Sequence, residues 1–179
     1  MKELKDINIE ILRQLNIDNE QLSSYSFSNV SELGSMAGFD NIVQEEIERY
    51  IYINKFNYEK LSQILTALAI DSEGAQVEEV IENKFKGQNL IDLILIGLAH
   101  PWKEVRWQVL EILGKSTIDN KASLLFYALS KEKNTYVLRV GLKILSKVKL
   151  ALAKEIAEKH LESEDSYLRI LSTDIAQLP

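Results

Sequence analysis

Three segments in the second half of the chain share a pattern: a polar turn, an aliphatic residue, an arginine and then an apolar stripe. The segments are WKEVR, NTYVLR and EDSYLR, and they place Arg106, Arg139 and Arg169 at intervals of 33 and 30 residues. The stretches that follow, VLEILGK, GLKILSK and LSTDIAQ, recur at intervals of 32 and 30. Periods of this length are typical of solenoids, in which each unit buries its apolar face by stacking on its neighbours. The sequence therefore predicts an array of similar units.

The units are predicted to be helical. The chain of 179 residues contains only 7 glycines and 2 prolines, and its apolar residues recur at spacings of three and four. The Ser- and Asn-rich segment 16–39 is predicted to be a loop. The predicted helices cover residues 2–15, 41–54, 61–70, 75–85, 89–99, 103–114, 121–129, 135–147, 151–161 and 166–178.

We expect one all-α domain over residues 1–179. It would begin with an irregular helical N-terminal segment, in which helices and the Ser/Asn-rich loop share residues 1–56. A degenerate helix pair would follow in residues 57–88, and three regular helix pairs in residues 89–179.

Charge is distributed unevenly along the chain. Residues 1–90 carry 16 acidic and 8 basic side chains, whereas residues 91–179 carry 11 and 13. An acidic half repels nucleic-acid phosphates and favours a basic protein partner. The chain has no cysteine, which excludes disulfides and thiolate metal sites. Its acidic start lacks a leader pattern, and no apolar run approaches the ~18 residues of a membrane span, so we expect a cytoplasmic protein without membrane contact.

The repeated pattern resembles a HEAT repeat, a helix pair whose second helix opens with a polar turn, then Val or Leu, then Arg. The resemblance covers residues 89–179 and extends to residues 57–88, which lack the arginine. It implies a HEAT-like α-α superhelix of helical hairpins. It also implies that the repeat arginines support packing and polar contacts between repeats; these are Arg106, Arg139 and Arg169. The acidic residue that the family usually has just upstream is present only as Asp165.

Catalytic motifs are scarce in this sequence. It contains no His-Glu-x-x-His motif, no phosphate-binding loop and no nucleophile elbow, and His100 and His160 are its only histidines. Two carboxylate clusters, in residues 45–48 and 78–82, would need a pocket that shifts their pKa values before they could catalyse a reaction. On amphipathic helices such clusters are predicted to form solvated faces. We expect no enzyme activity, no cofactor and no metal.

Two surfaces are candidates for binding a partner. Trp107 either fills a gap between repeats or lies on a concave face formed by the second helices, and tryptophan is a residue type that dominates interface energetics. The residues expected around Trp107 on that face are Lys103, Glu111 and Lys143, and Tyr136 is a further candidate of the same kind. The second surface is the acidic face of the N-terminal half, with Glu45, Glu46, Glu78, Glu79 and Glu82.

The leading hypothesis is a non-enzymatic module that binds another protein. The chain is similar in size and charge to bacterial immunity proteins, which neutralise a cognate toxin by stoichiometric binding, and complementary charge would speed association with a basic toxin. One alternative is a DNA-binding, HEAT-like repair-type protein, which would need a positive groove. The other is a HEAT-like bilin lyase. The sequence does not select an oligomeric state.

Overall fold

The computed structural model describes residues 39–53, 55–71 and 76–179, and within these ranges the chain is all helix and connecting turns, without a strand. The helices are α1 (Phe39–Ile53), α2 (Tyr58–Ile70), α3 (Gln76–Lys84), α4 (Gly87–Leu98), α5 (Lys103–Lys115), α6 (Lys121–Lys131), α7 (Thr135–Val148), α8 (Leu150–Glu158) and α9 (Ser166–Gln177). The all-α prediction is confirmed for this part of the chain. The helix predicted at residues 2–15 and the predicted loop, up to residue 38, lie outside the described residues.

Helix starts are set by side chains that accept hydrogen bonds from the first free backbone N–H groups. Asn57 Oδ1 accepts from the Lys60 N–H at 3.1 Å at the start of α2. Asn134 Oδ1 accepts from the N–H groups of Tyr136 and Val137, both at 3.1 Å, before α7. Asp165 Oδ1 accepts from the Leu168 N–H at 2.8 Å before α9. These caps explain why the polar turns in the sequence mark helix boundaries.

The chain divides into two compact units, Met1–Gln108 and Val109–Pro179, and the division falls within α5. In the described part of the first unit, α1 packs against α2 and α3, and α2 packs against α3 and α4. The residues of this core are almost fully buried: Val43, Ile47, Leu61, Leu65, Ile81, Phe85 and Leu93. An exposed ion pair at 2.8 Å between Lys84 Nζ and Glu48 Oε1 also joins α3 to α1.

In the second unit, helices of two hairpins pack side by side. α6 pairs with α7 and α8 pairs with α9, while α6 also contacts α8 and α7 also contacts both α8 and α9. Gly141 allows α7 to approach α6 closely, because a Cβ at this position would overlap the side chain of Leu129. The buried residues of this unit include Leu125, Leu142, Leu145, Ile156 and Leu168.

The repeat arginines contact the turns in two different ways. Arg106 Nη1 donates to the carbonyl oxygen of His100 at 2.9 Å, and Arg169 Nη1 donates to the carbonyl oxygen of Ser163 at 2.6 Å. Both acceptors lie six residues before the arginine, so the two turns are held in the same way. Arg139 instead lies between two aromatic rings, with its Cζ 5.5 Å from the centroid of Tyr136 and 5.2 Å from that of Tyr167. It therefore links α7 to α9.

Across residues 39–53, 55–71 and 76–179, no helix combines the length and the apolar character needed to cross a membrane.

Candidate functional site

Four large apolar side chains are exposed where α1 ends, in the turn that follows and where α2 begins. Tyr52, Ile53, Phe56 and Tyr58 are 91%, 61%, 57% and 63% exposed. We call these four residues the aromatic turn. Exposed apolar residues are common singly, whereas several of them close together in the chain indicate an interaction surface. The aromatic turn is therefore a candidate interface.

A pocket of about 190 Å³ opens beside the aromatic turn. Part of its wall is apolar, formed by Tyr50, Ile53 and Phe56, and part is polar, formed by Glu46, Arg49, Lys55, Asn57 and Lys60. The residues come from α1, from the turn and from the first turn of α2. Pockets that hold drug-sized molecules are larger, at roughly 300–1,000 Å³, so this pocket suits a group about the size of one side chain.

Glu46 is the carboxylate of this pocket, and it is paired with two of the cations that line it. Only 5% of the residue is exposed, and its carboxylate accepts from Arg49 Nη1 at one oxygen and from Lys60 Nζ at the other, the latter at 3.0 Å. A buried carboxylate needs such partners because desolvation of an unpaired charge is costly. Both oxygens of Glu46 are thus engaged, and among the described lining residues three cations (Arg49, Lys55 and Lys60) accompany this one carboxylate.

Tyr50 is the most buried polar residue of the pocket, with 4% exposed. Its ring stacks on Phe85 with centroids 5.8 Å apart. Its hydroxyl faces the backbone of Asn57, but no described residue forms a hydrogen bond of ordinary geometry with it. Burial raises the pKa of Tyr50, as does the nearby charge of Asp92, while the Asn57 backbone lowers it. The phenol therefore stays protonated, and its oxygen has almost no accessible surface.

The acidic residues predicted to bind a partner divide into two groups. Glu45 and Glu79 are exposed and Glu82 is half-buried. Glu46 and Glu78 are buried, with 5% and 8% exposed. The expected solvated face is therefore wrong for these two residues, because they point with Ile47 and Val77 towards the core side of their helices. They are not available to a partner.

The predicted residues of the C-terminal half remain at least partly accessible. Lys103, Trp107 and Glu111 follow one another at intervals of four along α5, and each is half-buried. Tyr136 and Lys143 are exposed on α7. Tyr136 contacts Arg139, so part of its ring serves the link between α7 and α9.

The histidine of the turn before α5 contacts neighbouring residues of that turn and contributes to its packing. His100 Nδ1 accepts from the Trp102 backbone N–H at 3.2 Å, and its ring meets the Trp102 ring edge-on with centroids 5.3 Å apart. Burial, assisted by the charge of Arg106, lowers the pKa of His100 to about 4. Burial raises the pKa of the neighbouring Glu104.

Within the described ranges, no group of three or more His, Asp or Glu side chains could hold a metal ion.

The aromatic turn and its pocket are absent from the candidates predicted from the sequence, although a signal for them was present. Tyr50, Tyr52, Phe56 and Tyr58 fall within nine positions. Such density exceeds what the inner face of one amphipathic helix and the following turn can bury.

A scan against protein-family models, a search of curated proteins and a search of solved structures each find no match to this chain.

Proposed function

We propose that this chain is a non-enzymatic module that binds another protein, and that the aromatic turn is the central part of its interface. The observation that carries the proposal is the exposure of Tyr52, Ile53, Phe56 and Tyr58, which lie where α1 ends and α2 begins. Aromatic side chains supply much of the binding energy at protein interfaces because they bury a large area with few rotatable bonds.

We further propose a HEAT-like stack of helix pairs as the architecture. The packing of α6 against α8 and of α7 against α9 supports it, since equivalent helices of successive repeats lie side by side in such a stack. The shared contact of Arg106 and Arg169 with a carbonyl six residues earlier also supports it. Arg139 adds a link between successive pairs.

The proposed partner is a basic protein. The acidic side chains of Glu45, Glu59 and Glu79 are exposed in the same unit as the aromatic turn, and complementary charge speeds association. A small acidic inhibitor that neutralises a basic toxin one-to-one, as immunity proteins do, would have these properties. The cysteine-free chain would suit a reducing compartment such as the cytoplasm.

Affinity capture with quantitative mass spectrometry tests this proposal. The bait is the full chain, compared with the variant Phe56→Ser and with the control Tyr127→Ser, which alters an equally exposed aromatic residue of the second unit (61% exposed). We expect a basic protein to be captured one-to-one by the wild type and by the control. Capture by Phe56→Ser should fall at least about tenfold, as for an interface hot spot.

Circular dichroism on all three baits shows whether each is folded. Equal capture by Phe56→Ser and the wild type would remove the aromatic turn from the interface. Capture that disappears after nuclease treatment would favour the DNA-binding alternative instead.

A further inference from the structure

The outer side of α7 carries a stripe of positive charge, and the helix contains no acidic residue. Arg139, Lys143 and Lys147 follow one another at intervals of four along α7, and Tyr136 lies on the same side. At 100° per residue these four positions fall within about 80° of one another, opposite the buried Leu145. Lys143 and Lys147 are exposed, and neither ammonium group pairs with a described residue. The described part of the chain thus leaves the stripe without a compensating charge.

Arg139 is held in place by aromatic rings, and its donors lack acceptors in the described part of the chain. Its Cζ lies 5.5 Å from the ring centroid of Tyr136 and 5.2 Å from that of Tyr167. Its Nε is buried without a hydrogen-bond partner, whereas the Nη groups remain accessible. Asp165 interacts electrostatically with Arg139, but its carboxylate already accepts from the backbone at the start of α9 and from the Thr135 side chain. A guanidinium fixed between two rings can therefore receive a carboxylate with little further loss of side-chain entropy.

α9 adds an apolar strip beside the basic stripe. The two helices are in contact, and Tyr167 and Ile170 are 70% and 58% exposed on α9. They are three residues apart and so share one side of the helix. Because Arg139 lies over the Tyr167 ring, the strip adjoins the stripe at that point. We call this surface the α7–α9 face; its residues are Tyr136, Arg139, Lys143, Lys147, Tyr167 and Ile170.

The spacing of the charges defines the partner. The three cations of α7 recur every ~6 Å along the helix axis, which matches carboxylates on every fourth residue of a helix lying beside it. Apolar residues on the adjacent side of such a helix would reach Tyr167 and Ile170. A nucleic acid fits less well, because it brings a phosphate at every nucleotide towards a chain of net charge −6. Arg139 also covers one face of each tyrosine ring, which leaves less ring surface for stacked bases.

We propose that the α7–α9 face binds an acidic amphipathic helix of a partner protein. Its carboxylates pair with Arg139, Lys143 and Lys147, and its apolar side chains pack on Tyr167 and Ile170. The face belongs to the second unit, and its charge is opposite to that of the exposed acids of the first. The proposal therefore does not rest on the one made for the aromatic turn.

Titration of the full chain with a synthetic peptide, followed by ¹H–¹⁵N NMR, tests this face. The peptide has four Leu-Glu-Ala-Ala repeats, about 16 residues, which is long enough for a helix. We expect saturable shifts at the amides of Tyr136, Lys143 and Ile170, with a Kd on the order of 100 µM that rises as salt is added.

Two further probes separate charge from shape. The Leu-Gln-Ala-Ala counterpart keeps the helix and its apolar side but has no carboxylates, so it should bind at least about tenfold more weakly. A single-stranded oligothymidylate of about 12 nucleotides carries phosphates instead, and it should also bind more weakly than the acidic peptide.

Variants of the chain locate the contacts. The double variant Lys143→Gln with Lys147→Gln should weaken binding of the acidic peptide about fivefold, and Ile170→Ser about threefold. The matched control Lys149→Gln with Lys159→Gln removes the same charge from exposed positions outside the α7–α9 face, and it should bind as the wild type does. Circular dichroism on each variant shows whether it is folded.

Equal affinity for the Glu and Gln peptides would overturn the proposal. So would full affinity for the acidic peptide in both the lysine double variant and Ile170→Ser, or peptide shifts confined to the first unit. An oligothymidylate that binds the α7–α9 face more tightly than the acidic peptide would identify a nucleic-acid surface instead.

Discussion

At the scale of single residues, burial decides the state of the titratable side chains. His100 is held neutral in the turn before α5, where its Nδ1 accepts from the Trp102 N–H. Glu104, one turn further, is 5% exposed, and burial raises its pKa while the nearby Lys103 ammonium lowers it. Both groups thus favour their neutral forms, as expected for side chains that are removed from water without a full set of partners.

His100 makes the fold sensitive to acid. Its pKa is about 4 in the folded chain against an ordinary value of 6.5, so the unfolded chain takes up the proton first. Stability from this residue is therefore present above pH 6.5 and is lost as the pH falls towards 4. The loss between pH 7 and pH 4.5 should be on the order of 2 kcal/mol.

Urea unfolding of wild type and His100→Gln at both pH values measures this effect. The variant keeps a side-chain acceptor but does not titrate, so it should lose less stability on acidification. Glu104 changes the stability in the opposite direction, because a raised carboxyl pKa favours the folded state in acid. This contribution is the same in wild type and variant, so it does not affect their comparison. An identical pH dependence of the two proteins would show that His100 is not the acid-sensitive group.

At the scale of helices, Arg139 shows how one residue joins two elements. Its guanidinium lies between Tyr136 on its own helix and Tyr167 on α9. Cation–π contacts at partly exposed sites contribute about 0.5–1 kcal/mol each. The Arg139 contact thus adds a modest stabilisation to the apolar packing between α7 and α9.

Replacing Arg139 by Met should lower the free energy of unfolding by about 1 kcal/mol, because both ring contacts lose their charge. Lys143→Met is the control, since Lys143 is exposed on the same helix. Urea midpoints of the two variants against wild type give the comparison. Equal urea midpoints for the two variants would show that the contacts of Arg139 with the two tyrosine rings do not stabilise the fold.

Local signals allowed the helices to be predicted from the sequence. Every helix from α1 to α9 begins and ends within three residues of its expected bounds, because capping residues such as Asn134 and Asp165 act on neighbours in the chain. Burial of individual polar residues could not be predicted in this way. Glu46 is buried and is paired with Lys60, which lies fourteen residues later in the chain and reaches it from α2.

The pocket could not be predicted from the sequence either, because it depends on contacts between residues far apart in the chain. Tyr50 packs on Phe85, which belongs to the segment after α3, and Asn57 closes the pocket from the turn before α2. These approaches depend on how α1, α2 and α3 pack, and periodicity within one helix does not encode that packing. The candidate residues of the C-terminal half remain accessible, and their role in binding stays a prediction.

At the scale of the whole molecule, the proposed architecture is a stack in which each helix pair rests on its neighbours. Stability in such an array is approximately a sum of the pairs and of the contacts between adjacent pairs. Removing a terminal pair should therefore weaken the array without unfolding the remainder. A protein with a single shared core would respond differently, because removing helices from one end would destabilise the whole fold.

A chain that ends at Lys149, and so lacks α8 and α9, provides the most direct measurement. Trp102 and Trp107 are the only tryptophans, and both lie before the second unit, so their fluorescence reports on a region far along the chain from the deletion. We predict native tryptophan emission, a helical signal reduced only by the share of the two missing helices, and cooperative unfolding at lower urea. Unfolded tryptophan emission with loss of most of the helical signal would contradict the stacked architecture.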